Sequence, residues 1–532
     1  MQHAHEISKS RRSVIILDVL TAAQMRRIEL TAFAGGRVTQ FDLMELAGRS
    51  AADAIDRRYR SRLDVREVHL LCGPGNNGGD GYRAATRLRE LGWKVAVWAA
   101  DIQSAESPAS EMRAQWGERG ECEPLGALPD AGIKGNPLFV DALFGIGLNR
   151  ALRPEAAAAL AFALRTGPVA AIDLLSGIDA DTGCFPQQSE ICPAGADFTV
   201  TFECAKPGHF LGQGGQLTGE LEILPLGLAV ERQAQLDTSE LIGLWQPSDV
   251  PVDLLAKGVA QHKYSHGHVL VVSGPSNHGG AARLAARAAL RTGAGLVTVG
   301  APRGALREHA AALDAVMVRE MNDPRELTRL LRDRRINVIC IGPGLGRDDR
   351  ARELTLAALD AGRSCVVDAD ALSAFADTPD QLFGHLDENA VLTPHDGEFA
   401  RLFRDLAPGL QGEAGGRVEA ARIAAARAGA TLLLKGACST IAGAAGRVCL
   451  MAATGKHASP WLATAGSGDT LSGIIAGLLA KGAPAGVAAA SGAYMLADAA
   501  RRYGPGFISE DVPAMIPAVL RSLLDRESSA MD

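Results

Sequence analysis

Short apolar runs that stop at glycine or at a charged residue recur along this chain of 532 residues. Val68-His69-Leu70-Leu71-Cys72 enters Gly73-Pro74-Gly75-Asn76-Asn77-Gly78-Gly79-Asp80-Gly81. Pro137-Leu138-Phe139-Val140 stops at Asp141, and Val169-Ala170-Ala171-Ile172 stops at Asp173. Further on, Val338-Ile339-Cys340-Ile341 enters residues 342–346, Cys365-Val366-Val367 stops at Asp368, and Thr431-Leu432-Leu433-Leu434 stops at Lys435. Runs of this length read as strands buried on both faces, and Ala-rich helical stretches such as 281–290 separate several of them. Strand, turn and helix in repetition specify α/β units around parallel sheets. Such sheets bind ligands at the carboxyl ends of their strands, where these glycines and acids stand.

The chain is too long for one core. The expected architecture is α/β, as two three-layer αβα units. The first is placed at 1–227, with helices from Leu20 to about Tyr59 that Thr21 begins as a cap. Residues 228–250 show no strong period and read as a connector, and the second unit is placed at 251–532. Hydrophobic residues make up 47% and charged residues 22%, the balance of an ordinary globular protein. Lys and Arg number 54 against 61 Asp and Glu, a net charge of −7 that argues against non-specific nucleic-acid binding. The 9 cysteines include no Cys-x-x-Cys pair, so neither a disulfide framework nor a zinc site is expected. The apolar run at 13–17 is too short for a signal peptide, and no run of about 18 uncharged apolar residues would span a membrane. A cytoplasmic protein is expected.

Three loops carry candidate chemistry. Ala465-Gly466-Ser467-Gly468-Asp469-Thr470 runs into an apolar helix. Backbone N–H groups there can converge on an anion at the positive end of the helix dipole. Asp469 at its lip can take a proton from a hydroxyl, which points to phosphoryl transfer to an alcohol. A plain glycine turn capping a core helix is the competing reading of that loop. Residues 73–81 follow a strand and precede a helix expected at 82–91, the arrangement that binds nucleotide phosphates. They form neither the usual dinucleotide fingerprint nor a P-loop. Asn77, Asp141 and Ser176 are hard oxygen donors at strand ends and suit a small hard cation; taken singly, each also reads as a strand-end cap. Lys435-Gly436 at a strand end suits a phosphate contact.

Residues 73–81, 141–148, 173–179 and Lys206-Pro207-Gly208-His209 together resemble the NAD(P)HX epimerase family, across roughly 20–225. The resemblance implies a Rossmann-like unit that interconverts the R and S epimers of hydrated nicotinamide cofactors, NADHX and NADPHX. It implies that Asn76, Asn77, Gly78, Gly79, Asp80, Gly145, Ile146, Gly147, Leu148, Asn149, Arg150 and Ala151 contact the hydrated cofactor. Asn77, Asp141 and Ser176 would hold a potassium ion. Asp173 would face the nicotinamide ring as acid or base, with Lys206 a second catalytic candidate.

Residues 342–346, 368–372, 393–398, 435–439 and 465–469 resemble the ADP-dependent NAD(P)HX dehydratases of the ribokinase-like superfamily, across roughly 250–522. Ala281, Gly344, Gly346, His395 and Asp469 would then contact the hydrated cofactor. Lys435, Gly436, Ala437, Cys438, Ser439 and Gly468 would contact ADP or ATP, with magnesium on its phosphates and Asp469 as catalytic base. The chain departs from the family patterns at Ile146, Leu175, His278 and Trp461. A homo-oligomer is expected. The competing function is a ribokinase-like kinase for a vitamin alcohol, carrying a nucleotide-sensing or protein-binding module at its start.

Overall fold

The computed structural model describes residues 17–63, 66–101, 107–148, 150–186, 194–237, 240–413 and 415–531. Asn149, expected in the first site, and residues 13–16 of the apolar run at 13–17 lie outside the described residues.

Strand β1 (Leu17–Val19) opens the described chain but does not join the sheet that follows it. After the helices Ala22–Ala34 and Gln40–Tyr59 come β2 (Glu67–Cys72), β3 (Lys94–Ala99), β4 (Cys122–Pro124), β5 (Leu138–Ala142), β6 (Val169–Ile172), β7 (Phe198–Phe202) and β8 (Glu220–Leu224). These seven form one sheet in the order β4-β3-β2-β5-β6-β7-β8, parallel throughout. Thr21 caps the first helix through Gln24 N–H, as expected from its position. Successive residues of β5 divide between two cores. Leu138, Val140 and Ala142 join the helices 22–34 and 40–59 on one face, and Phe139 joins the helix Pro154–Thr166 on the other. That division makes three layers.

The second sheet holds β9 (Ile242–Leu244), β10 (His268–Val272), β11 (Leu296–Ala301), β12 (Met317–Glu320), β13 (Ile336–Ile341), β14 (Ser364–Val367), β15 (Ala390–Leu392), β16 (Thr431–Leu434), β17 (Cys438–Ala442) and β18 (Val448–Ala452). With β1 it has eleven strands in the order β1-β9-β18-β17-β16-β15-β14-β13-β10-β11-β12. The stretch from β12 to β16 is parallel, while β17 is antiparallel to both its neighbours. Val269 and Val271 face one core, and Leu270 and Val272 face the other. In both sheets the winding reverses once, between β2 and β5 and between β10 and β13. Those two switch points leave crevices at the carboxyl ends of the strands.

The structure differs from the sequence expectation in two ways that matter for the sites. Residues 228–250 are not a bare connector: they contain the helix Ala229–Gln235 and β9, which pairs with β18 and with β1. The first unit also packs into the second, since Ala205 and Leu211 share a core with Val19 and Val448. The glycine loop is also shorter than 73–81, because the helix that follows begins at Asn76 and runs to Glu90. Its glycines serve close approach. A Cβ on Gly78 would stand 1.9 Å from Gly73 O, and one on Gly81 would stand 2.6 Å from Ala142 Cβ.

The second unit uses the same device between two helices. Helix Ser467–Ala480, buried along Thr470–Ala480, lies against helix Gly280–Thr292. A Cβ on Gly473 would fall 2.1 Å from Ala285 O. Gly473→Ala is therefore expected to force the helices apart and cost about 1–3 kcal/mol, read as a lower thermal midpoint. An unchanged midpoint would contradict this packing.

Candidate active sites

The first site lies at the β2/β5 switch point. Gly73 follows β2 and donates its N–H to Ala142 O at 3.0 Å, locking the two strand ends together. A cavity of 700 Å³ opens there, lined by Asn76, Asn77, Asp80, Gly145, Ile146, Gly147, Leu148, Asp173 and Lys206 among others. Gly78 and Gly79 are buried in the helix behind this wall, and Arg150 and Ala151 are not part of it.

Asp173 stands at the end of β6 with φ +68°, a conformation that costs a non-glycine residue about 1–3 kcal/mol. Its side chain and carbonyl are held on every side. Lys206 Nζ and Thr201 Oγ1 each donate to Oδ1 at 3.0 Å, and Ile146 N–H donates to Oδ2 at 3.0 Å. His209 Nε2 donates to the Asp173 carbonyl at 2.8 Å, while its Nδ1 accepts from Lys206 N–H at 3.0 Å. That pair of bonds fixes a neutral His209, and burial beside Lys206 pushes its pKa down to about 4. Burial pushes the Asp173 carboxyl up, but Lys206, His209 and the Ile146 amide outweigh it and hold it below the usual range.

Two neighbouring carboxyls behave oppositely. Burial, with Asp173 adding to it against Lys206, pushes Glu29 up to about 7. Burial, Asp173 and Glu29 push Asp80 well up. One crevice thus holds a carboxyl pushed toward its ionised form beside carboxyls pushed toward their protonated form, the arrangement that separates acid from base. The sequence reading missed Glu29. It lies in the middle of a helix, and only tertiary packing brings it to the cavity.

Beside this wall, Asp141 at the end of β5 is buried. Its Oδ1 accepts from Ser176 Oγ at 2.7 Å and from Leu143 N–H at 3.1 Å; its Oδ2 accepts from Ser176 N–H at 2.7 Å. All these donors are neutral. Burial pushes this carboxyl up to about 6 against those hydrogen bonds. Asn77 is buried with both polar atoms of its side chain unpartnered among the described residues. An uncompensated carboxylate, a hydroxyl and a spare amide oxygen are a donor set that fits a potassium ion.

The second site lies past the β10/β13 switch point. A Cβ on Gly344 would meet His278 O at 2.4 Å and Ala281 Cβ at 3.4 Å, so the loops after β10 and β13 touch. Gly466 (φ +85°) turns the chain into helix Ser467–Ala480, whose first turn carries Gly468 and Asp469. Lys435 Nζ stands 3.2 Å from where a Gly468 Cβ would be and donates to Asp368 Oδ1 at 2.8 Å. Ser472 Oγ donates to Asp368 Oδ2 at 2.7 Å. Glu398 lies 3.9 Å from Lys435 and accepts the His395 N–H at 2.9 Å. Burial pulls Lys435 down, but Asp368, Glu398 and Asp469 outweigh it and raise it. Burial and then Asp368 push Asp469 up to about 7, with Lys435 opposing and Asp370 and Glu398 adding to the rise. Three carboxyls, Asp368, Glu398 and Asp469, thus face one lysine, while Asp370 pairs with Arg347 at 3.0 Å.

Beyond Gly468 lies a cavity of 640 Å³, lined by Lys435, Gly436, Ala437, Ser439 and Gly468 and by apolar Met451, Leu462 and Leu496. Cys438 is buried in β17 and does not line it. Ala281, Gly344, Gly346, His395 and Asp469 do not line it either. Asp368 was not singled out as a site residue, although its place at a strand end is the signal that marked Asp141 and Asp173. Of the departures, Leu175 is buried in the core, and Trp461 is 46% exposed between Pro460 and Leu462, which line the cavity.

Lys206→Met is expected to cost about 3–5 kcal/mol at neutral pH, because Asp173 stays buried with its charge uncompensated. The native pair holds the Asp173 pKa below its unfolded value, so its stabilisation is present above that value and lost at lower pH. The deficit of the variant, read from thermal midpoints, should therefore shrink as pH falls. A deficit independent of pH would contradict the pairing.

Residues 269–513 match the family described as NAD(P)H-hydrate dehydratase, and residues 40–208 match the family described as YjeF-related protein N-terminus. The bifunctional NAD(P)H-hydrate repair enzyme Nnr of Moorella thermoacetica is 35% identical over 532 residues, covering 95% of this chain and 97% of that one. The enzyme of the same name from Escherichia coli is 31% identical over 468 residues, 86% of this chain and 84% of that one. Among solved structures, a ribokinase-like superfamily protein of Enterococcus faecalis covers 53% of this chain and 96% of its own, at 24% identity and a TM-score of 0.46. With relatives above 30% identity that it spans almost end to end, the chain belongs to the family of bifunctional NAD(P)H-hydrate repair enzymes.

Proposed function

We propose that the first site epimerises hydrated NADH and NADPH, and that the second dehydrates one epimer at the expense of ADP. The observation that carries this reading is the pairing, in one chain, of an acid–base crevice at the first switch point with an anion-binding helix terminus and buried carboxylate at the second. A kinase acting on a vitamin alcohol has no use for the first crevice.

In the first site a protonated carboxyl, Glu29 or Asp80, gives its proton to the departing hydroxyl as the ring nitrogen lone pair breaks the carbon–oxygen bond. Ionised Asp173 takes a proton from the water that returns to the opposite face. Lys206 and His209 keep Asp173 charged and in place throughout. Potassium at Asn77, Asp141 and Ser176 supplies the positive charge that the Asp141 carboxylate lacks.

In the second site Asp469 removes the proton from the substrate hydroxyl. The hydroxyl oxygen then attacks the terminal phosphoryl group of the nucleotide. The amides at the start of helix Ser467–Ala480 and Lys435 stabilise the transferring charge. Magnesium bound with the nucleotide offsets the charge of its phosphates. AMP leaves, the ring nitrogen expels phosphate, and the neighbouring carbon loses a proton to give NADH or NADPH.

Two substitutions separate the activities. Asp469→Asn should lower dehydration by about 100-fold or more and leave epimerisation intact; Asp173→Asn should do the reverse. In the wild type, dehydration should fall as pH drops below about 7, where Asp469 gains its proton. Loss of both activities in either folded variant would overturn the two-site reading. At fixed ionic strength, potassium should raise the thermal midpoint of the wild type but not of Asn77→Ala. An equal response in both proteins would remove Asn77 from the cation site.

A further inference from the structure

The cavity assigned to the nucleotide is not walled by the second unit alone. Gly215 and Gln216, from the short helix Gly214–Leu217 of the first unit, line it beside Thr454 and Gly455. A Cβ on Gly215 would stand 3.1 Å from Thr454 Cγ2, so the Thr454 methyl packs close to the Gly215 backbone. The segment that carries Gln216 is firmly placed. It leaves the buried residues Lys206 and His209, and Leu211 is packed in a core of the second sheet. Gly208 N–H donates to Ala180 O at 2.7 Å, Gly214 N–H donates to Gly183 O at 2.9 Å, and Leu217 O accepts from Ala196 N–H at 2.8 Å. A backbone held in this way keeps residue 216 at the cavity wall.

The chemistry of the cavity is divided. Lys435, Ser467 and Gly468 stand where phosphates meet the helix terminus, whereas Met451, Ala453, Leu462 and Leu496 offer apolar surface for a base. Gln216 is exposed, and its carboxamide carries both a donor and an acceptor, the combination that matches the polar groups of a nucleoside. We propose that Gln216 of the first unit is a positioning residue for the nucleoside part of the ADP used by the second site. The first unit thereby sets the nucleotide affinity of the dehydratase. This inference rests on the nucleotide reading of the cavity given above.

The test uses the full chain and compares the wild type with Gln216→Ala. Equilibrium binding of ADP and of pyrophosphate is measured by calorimetry, together with the ADP dependence of NADH recovery. Removing one hydrogen bond should weaken ADP by about 2- to 10-fold and leave pyrophosphate, which has no nucleoside, unchanged. The kinetic effect should appear in KM for ADP rather than in kcat. Unchanged ADP affinity in the variant, or equal weakening of ADP and pyrophosphate, would overturn the role of Gln216. A wild type that binds no ADP would instead overturn the nucleotide reading beneath it.

Discussion

The buried pair of Asp173 and Lys206 is the contact on which most of the first site depends. Asp173 sits in a left-handed backbone conformation and in a buried crevice, both unfavourable for an ionised aspartate. Two side-chain donors, one backbone amide and a neutral His209 on its carbonyl outweigh those costs. The consequence is a carboxylate held toward its charged form while burial pushes Glu29 and Asp80 beside it toward the protonated form. Chemistry at the first site follows from that contrast. Lys206 lies between Ala205 and Leu211, which pack in a core of the second sheet, so the residue that tunes the crevice is close in sequence to the contact between units.

The second site uses a different balance. One lysine, Lys435, stands beside the start of a helix and faces the carboxyls of Asp368, Glu398 and Asp469. Lys435 cannot neutralise all three, and Asp469 is left close to neutral pH in its titration. Both sites gather residues that follow the carboxyl ends of parallel strands, so the same topological rule positions two unrelated chemistries.

Much of this was legible from the sequence because strand ends carry their chemistry in adjacent residues. Asp141, Asp173 and Lys435 each follow a run whose burial is plain from its composition, and Asp469 precedes one. The loop was drawn too long at 73–81, since close packing inside a helix, as at Gly78 and Gly81, and turning in a loop ask for the same residue. β1 and β9 were missed because three-residue strands have no period to detect; they exist through pairing with each other and with β18. Glu29 and Gln216 left no local signal. A glutamate within a helix, or a glutamine in a short turn, reads as solvated until a distant segment folds against it.

The central claim is that one chain carries two complementary activities. The most direct measurement is absorbance near 340 nm after adding the protein to a mixture of R and S hydrated NADH with ADP, magnesium and potassium. The expected result is complete, nucleotide-dependent recovery of NADH, faster in its second half than spontaneous epimerisation allows. Recovery that stops near half would contradict a working first site, and no recovery with either ADP or ATP would contradict the account as a whole.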